Sequence, residues 1–353
     1  MTPPEVILDR WVKSHARPRV RGCKGYVGKL NLDEVDPPPL GSLLSFVQET
    51  MNTALRAESA NASGGVDHPP FHFDYIQVSD GTKNAHAFQH DGCSFIVVTQ
   101  PLIELLWAVS GRLARSPRIL QLLGVKGTAA RTEGVHALFF QLQLTFLVSH
   151  EYTHHVHRHC GRDQIGEAGL WTEFAKEELD GAIDRQAREL DADAYAIYLV
   201  LSNFIRGGGR KGALVQLGRQ HLPDIDADSL ILTCFFVAVI AFFGELWPED
   251  IRVDSIWQLT HPPAPVRIDF AIRVARMWSG QNECVSESWF GAERLQEIFE
   301  AVLSTYAGAM RQGWDAHVAF FRGEEGIKYN RRLLDSFDTL RKMGGAMVVA
   351  STT

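Results

Sequence analysis

The sequence predicts an α+β fold, mostly helical, and three observations carry that prediction. Phe71–Val78 and Ser94–Thr99 alternate and are rich in β-branched and aromatic residues, so they read as strands. From Pro101, which suits the first turn of a helix, the pattern is almost wholly helical. The run Leu138–Val148 is strongly apolar, lacks Gly and Pro, and leads straight into a cluster of histidines. It reads as a buried helix that carries polar groups for a reason.

The elements follow in order. Residues 1–40 start basic and reach Pro37-Pro38-Pro39, and are expected to wrap the surface. Leu43–Ala57 has a helical pattern, and Asn61–Pro70 is a Gly/Ser/Pro loop. Gly161 is the expected C-cap of the histidine-bearing helix. Gly207-Gly208-Gly209 breaks the helical pattern. Leu230–Gly244 is an apolar run of 15 residues, short of the ~20 that span a bilayer. Asp224, Asp226 and Asp228 precede it and Glu245 follows, with no Lys or Arg close by. A buried helix behind the site described below is the favoured reading; membrane association through residues 230–244 is the alternative. Residues 287–345 hold amphipathic helices such as Ala292–Tyr306, an accessory cap or partner surface. The expected domains are an N-terminal extension and helix (1–70), a core (71–285) and a C-terminal helical accessory region (286–353).

Composition narrows the function classes. With 353 residues, 45% of them apolar, the chain can bury a sizeable core. The net charge is −7 with no basic stripe, which argues against a nucleic-acid partner. Cys23, Cys93, Cys160, Cys234 and Cys284 are an odd, scattered set, as expected in a reducing compartment. The start, Met1-Thr2-Pro3-Pro4-Glu5, has neither the basic residues nor the apolar run of a secretory signal, so a cytoplasmic location is expected.

The chemistry is concentrated at His150-Glu151-Tyr152-Thr153-His154. On a helix, residues four apart share a face, so His150 and His154 can reach one ion. Glu151 lies one step round, where it can touch a metal-bound water. This is the HExxH arrangement of zinc hydrolases, and it points to metal-assisted hydrolysis. A catalytic zinc usually takes a third protein ligand. A histidine six residues after the second, beyond a glycine turn, is one solution, but those positions hold Cys160 and His157. A Glu on a later helix is the other, and Glu189 fits it, with Asp184 and Asp191 as competitors. Asp191 points roughly 200° away from Glu189. Asp193, four residues after Glu189, can accept a hydrogen bond from the far nitrogen of a ligand imidazole.

The pairing of His-Glu-x-x-His with Glu189-x-x-Ala192-Asp193 resembles the gluzincin peptidases of the CAAX prenyl endopeptidase and HtpX-type family. Asn84-Ala85-His86-Ala87-Phe88, with the strand after it, is similar to the family's Asn-Ala-x-Ala segment. Thr260-His261-Pro262-Pro263, followed by Arg267-Ile268, resembles its Thr-His-Pro-Pro-x-x-x-Arg-Ile segment. The pieces occur in family order across residues 84–268, about half the chain. The resemblance implies a zincin-like core with a small sheet beside the HExxH helix. It implies one Zn2+ held by His150, His154 and Glu189, with Asp193 supporting a ligand histidine. Glu151 would be the general base, and Asn84, Ala85, His86 and Ala87 would pair with an extended substrate. The chain departs from the family between the metal motifs, where Arg162, Asp163, Glu167, Glu173, Lys176, Glu177, Glu178 and Asp180 leave no place for a membrane helix.

The expected function is therefore a zinc-dependent endopeptidase acting on a protein or peptide. A non-proteolytic binding protein on the same fold, and a zinc hydrolase of a non-peptide amide, are the alternatives. His261 and Arg267 are candidates for stabilising the transition state, against plainer roles as a helix cap and an ion pair. Tyr152 reads as core, and His155, His157 and His159 read as a solvated helix end.

Overall fold

The computed structural model describes residues 2–15, 25–61, 70–79, 81–157, 159, 179–245, 253–306, 314–315 and 318–343. In chain order the elements are α1 (Pro4–His15), β1 (Tyr26–Lys29), α2 (Pro38–Asn61), β2 (Phe71–Val78), β3 (Ala85–His90) and β4 (Cys93–Thr99). Then come α3 (Gln100–Ala114), α4 (Pro117–Leu122), α5 (Ala129–Val156), α6 (Leu179–Leu201), α7 (Gly209–Leu217) and α8 (Asp224–Glu245). Helices α9 (Ala264–Gln281), α10 (Ala292–Leu303) and α11 (Glu324–Met343) follow. The α+β class, mostly helical with one small sheet, is what the sequence predicts. Gly161 and residues 161–178, with Cys23 and Cys160, lie outside the described residues. The chain divides into two compact units, residues 1–108 with 151–172, and residues 109–150 with 173–353; two of the three divisions fall within α3 and α5.

The first unit is built on a four-stranded sheet of order β1-β2-β4-β3. Strands β2 and β4 run parallel, and β3 is antiparallel to β4. The β3–β4 turn is Asp91-Gly92, with φ of 47° and 74°. Two successive positive φ values match the twist of a two-residue hairpin. Residues 1–40 do not simply wrap the surface. Ile7, Leu8, Trp11 and Val12 lie on one face of α1, and all are at most 5% exposed. They form a core with Tyr26, Phe88 and Phe95, in which Trp11 stacks on Phe88 at 4.2 Å. Each such buried side chain contributes about 1.5–3 kcal/mol, which fixes the helix on the sheet. Strand β1 reaches only the end of β2. Beyond it, the Asn52 amide of α2 bonds the Phe73 carbonyl at 2.9 Å and accepts from its N–H at 2.8 Å, covering that edge. The end of α5 also belongs to this unit: Tyr152 and His155 pack on Phe71 with centroids at 5.2 and 5.3 Å.

The second unit is helical. Helix α8 has 22 residues, and every residue from Ile231 to Phe243 is buried. It begins at Asp224, earlier than the apolar run alone suggests, because Asp224 and Asp226 sit favourably in its first turn. By length and composition it could cross a membrane, yet 83% of its apolar window is buried inside the protein. Phe146 of α5 packs between Phe242 and Phe243 at 5.7 and 5.6 Å. Buried Gln143 accepts from Ser110 and donates to the Ala238 carbonyl, tying α3, α5 and α8 together. Helix α11 shares a core with α6 through Tyr329, Leu333 and Phe337 against Ile183, Ala187 and Leu190. Helix α7 ends at Gly218, whose φ is 66° and whose N–H closes the last turn. A Cβ is strained there, so Gly218→Ala should lower stability by about 1 kcal/mol, read as an earlier urea midpoint.

Candidate metal centre

Two helices place the candidate ligands. His150 and His154 are one turn apart on α5, and Glu189 is on α6. Each offers a ligand atom, and these atoms lie within 4.8 Å of one another. All three residues are buried, at 4%, 4% and 1% exposure. Two imidazoles and a carboxylate gathered out of water can hold a metal ion, and the set suits borderline divalent ions.

His150 is wired on both ring nitrogens. Nδ1 lies 2.9 Å from Asp193 Oδ1, and Nε2 lies 3.0 Å from Glu189 Oε2. Burial pulls the imidazolium pKa down, but the bonds to Asp193 and Glu189 outweigh it and raise it to about 10. A metal ion taking His150 must displace that proton. Metal affinity should therefore fall as pH falls below this range, approaching about tenfold per pH unit for one displaced proton. Competition against a chromophoric chelator at about pH 6 and about pH 8 should differ by up to about 100-fold; equal affinities would contradict this wiring.

Asp193 is completely buried and would be costly alone. Arg267 offsets that with a bidentate pair, Nε to Oδ2 at 2.8 Å and Nη2 to Oδ1 at 2.7 Å. Burial raises the Asp193 pKa, but Arg267 and His150 outweigh it and hold the carboxyl below its ordinary value. The guanidinium also stacks over Phe243 at 4.4 Å. Arg267 is thus engaged with the support of His150. His261 is 20% exposed at its side chain, and its Nε2 lies 3.0 Å from Glu189 Oε2, the same oxygen that faces His150.

The other candidates fall elsewhere. Glu151 follows His150 on α5 and is 5% exposed. Asn84 precedes β3, where its side chain accepts from the Ala85 N–H; Ala85, His86 and Ala87 form the start of that edge strand. Of the competitors for the third ligand, Asp184 is on the exposed side of α6, bonded by Ser336. Asp191 faces Arg341, with closest atoms 3.9 Å apart.

Two histidines expected in solvent are buried. His155, 5% exposed, donates from Nε2 to the Phe95 carbonyl of β4 at 2.9 Å. Burial lowers its pKa to about 4, against the smaller opposing effect of that bond, so the ring is neutral. His159, 8% exposed, brings Nδ1 within 3.1 Å of His154 Nδ1. One of those rings donates and the other accepts, so each fixes the other's tautomer. His155 lies three residues after Tyr152 on the same helix face, the local signal of its burial, whereas the apolar Phe71 that receives both is 84 residues before it in sequence.

No protein-family model matches the chain, and no curated protein and no solved structure matches it.

Proposed function

We propose that the chain is a zinc-dependent endopeptidase of gluzincin type, with a zincin-like core, acting on a protein or peptide in a reducing compartment. The observation that carries this reading is the buried His150/His154/Glu189 cluster with a carboxylate behind His150. His150, His154 and Glu189 would hold one Zn2+. When bound, the ion would act as a Lewis acid towards water and the scissile carbonyl.

The remaining work falls to the chain's own residues. Asp193 accepts a hydrogen bond from His150 Nδ1–H and would so fix the tautomer and direction of the ring. Arg267 keeps Asp193 ionised. Glu151 would take a proton from the attacking water on a carboxylate oxygen, then pass it to the leaving amine. His261, partly exposed beside Glu189, is the candidate donor to the developing oxyanion. Edge strand β3 would offer backbone groups to an extended substrate, which gives affinity with little sequence preference.

A peptide-library digest tests the reading. Zinc-loaded protein should cleave above a chelated control. No cleavage across broad sequences, with zinc bound, would favour a binding protein built on the same site.

A further inference from the structure

The three-residue spacing that puts Gln186 one turn before Glu189 also puts it on the same face of α6. Gln186 is fully buried, and every polar group of its amide is used. Nε2 donates to the Ile256 carbonyl at 2.9 Å and to the Leu259 carbonyl at 2.8 Å. Oε1 accepts from the Tyr329 hydroxyl. The amide cannot be turned over, because Oε1 would then face two carbonyl oxygens.

Tyr329 belongs to α11 and is itself fully buried. Burial raises its pKa well above the ordinary phenol value, so the hydroxyl stays protonated and remains a donor. Its ring also meets Trp257 edge-on at 5.3 Å. Residues 253–258 form a 3-10 turn, and Leu259 N–H bonds back to the Ile256 carbonyl. Thr260 and His261 follow at once. The Thr260 hydroxyl lies 3.0 Å from His261 Nδ1, and His261 Nε2 lies 3.0 Å from Glu189. The path from the C-terminal helix to the candidate centre is therefore continuous: phenol, amide, turn backbone, imidazole.

We propose that Tyr329 and Gln186 are positioning residues for His261. The phenol orients the Gln186 amide, the amide clamps the turn at Ile256 and Leu259, and the turn sets His261 against Glu189. Helix α11 is on this account a built part of the centre, not an appendage to it. The proposal concerns the placement of His261 and rests on the reading of Glu189 as a metal ligand only for its catalytic meaning.

The test reads the imidazole directly, in the full-length protein with histidine ring nitrogens labelled with 15N. Tyr329→Phe removes one hydroxyl and keeps the ring. The His261 ring signals should move by several ppm or broaden, in metal-free and zinc-loaded protein alike. Zinc affinity should stay within about threefold, since no ligand is touched. Gln186→Glu should reproduce the change, because a carboxylate can still accept from Tyr329 but cannot donate to the two carbonyls. Ser336→Ala, which removes a different contact between α11 and α6, should leave His261 where it is. Unmoved His261 signals in a folded Tyr329→Phe or Gln186→Glu variant would overturn the proposal. If neither variant folds, the unmodified protein decides. The Gln186 side-chain amide protons should exchange far more slowly than those of an exposed glutamine, and exchange at the free rate would overturn it. Movement of His261 without any peptide cleavage would leave this proposal standing and the peptidase reading in doubt; cleavage without such movement would do the reverse.

Discussion

Glu151→Gln should lower peptide hydrolysis by roughly 10²–10⁴-fold while one zinc per chain is retained. Gln keeps the shape and the capacity to hydrogen-bond but has no basic oxygen to take the proton of the attacking water. Glu151 is buried on the same helix as His150 and His154, so the change leaves the three candidate ligands in place. Metal content by elemental analysis and turnover of a cleaved peptide should separate cleanly. Full turnover with zinc bound would sink the general-base assignment, and loss of zinc would place Glu151 among the ligands instead.

Asp193→Ala should be the most damaging single change outside the ligands. It removes the acceptor of His150 Nδ1 and strands Arg267, a guanidinium only 7% exposed. Breaking a buried pair from one side typically costs about 3–5 kcal/mol. Losing the carboxylate behind a ligand histidine typically weakens metal binding about 10–100-fold. Asp193→Asn should fall between, since an amide oxygen can still accept from His150 but no longer balances Arg267. The pH dependence has a definite sign. The Asp193 pKa is depressed in the folded protein, so its stabilisation is present above the unfolded carboxylate pKa and lost as pH falls through the folded value. Chemical denaturation of wild type and Asp193→Asn at low and neutral pH checks this. The difference between them should shrink in acid, and a constant difference would contradict the assignment.

Much of the centre was legible because helical spacing carries it. The four-residue spacing of His150 and His154, and of Glu189 and Asp193, states which side chains share a face before any fold is known. What joins the two helices was visible only as a chemical need for a third ligand. Arg267 was harder, since a cation after a His-Pro-Pro segment serves an oxyanion or a buried acid equally well, and only tertiary contact with Asp193 separates the two. His155 and His159 were misplaced for a different reason. A run of histidines reads as solvated by composition, whereas the burial of His155 depends on the distant Phe71 and Phe95, and His159 meets the nearby His154. In the sheet, Phe71–Val78 and Ser94–Thr99 were legible from their alternation, but α1 was hidden by the Pro-rich and basic residues that follow its short apolar face.

Helix α8 carries a consequence for how the chain is made. It is among the most apolar segments and is buried from Ile231 to Phe243, yet two of the helices that pack against it, α9 and α10, lie after it in sequence. During synthesis from the N-terminus, α8 is complete before that cover exists. Nascent chains that stop before residue 264 should expose a 22-residue helix apolar enough for a bilayer. Such chains should aggregate, bind chaperones or partition into membranes, and release of the full-length chain should abolish all three.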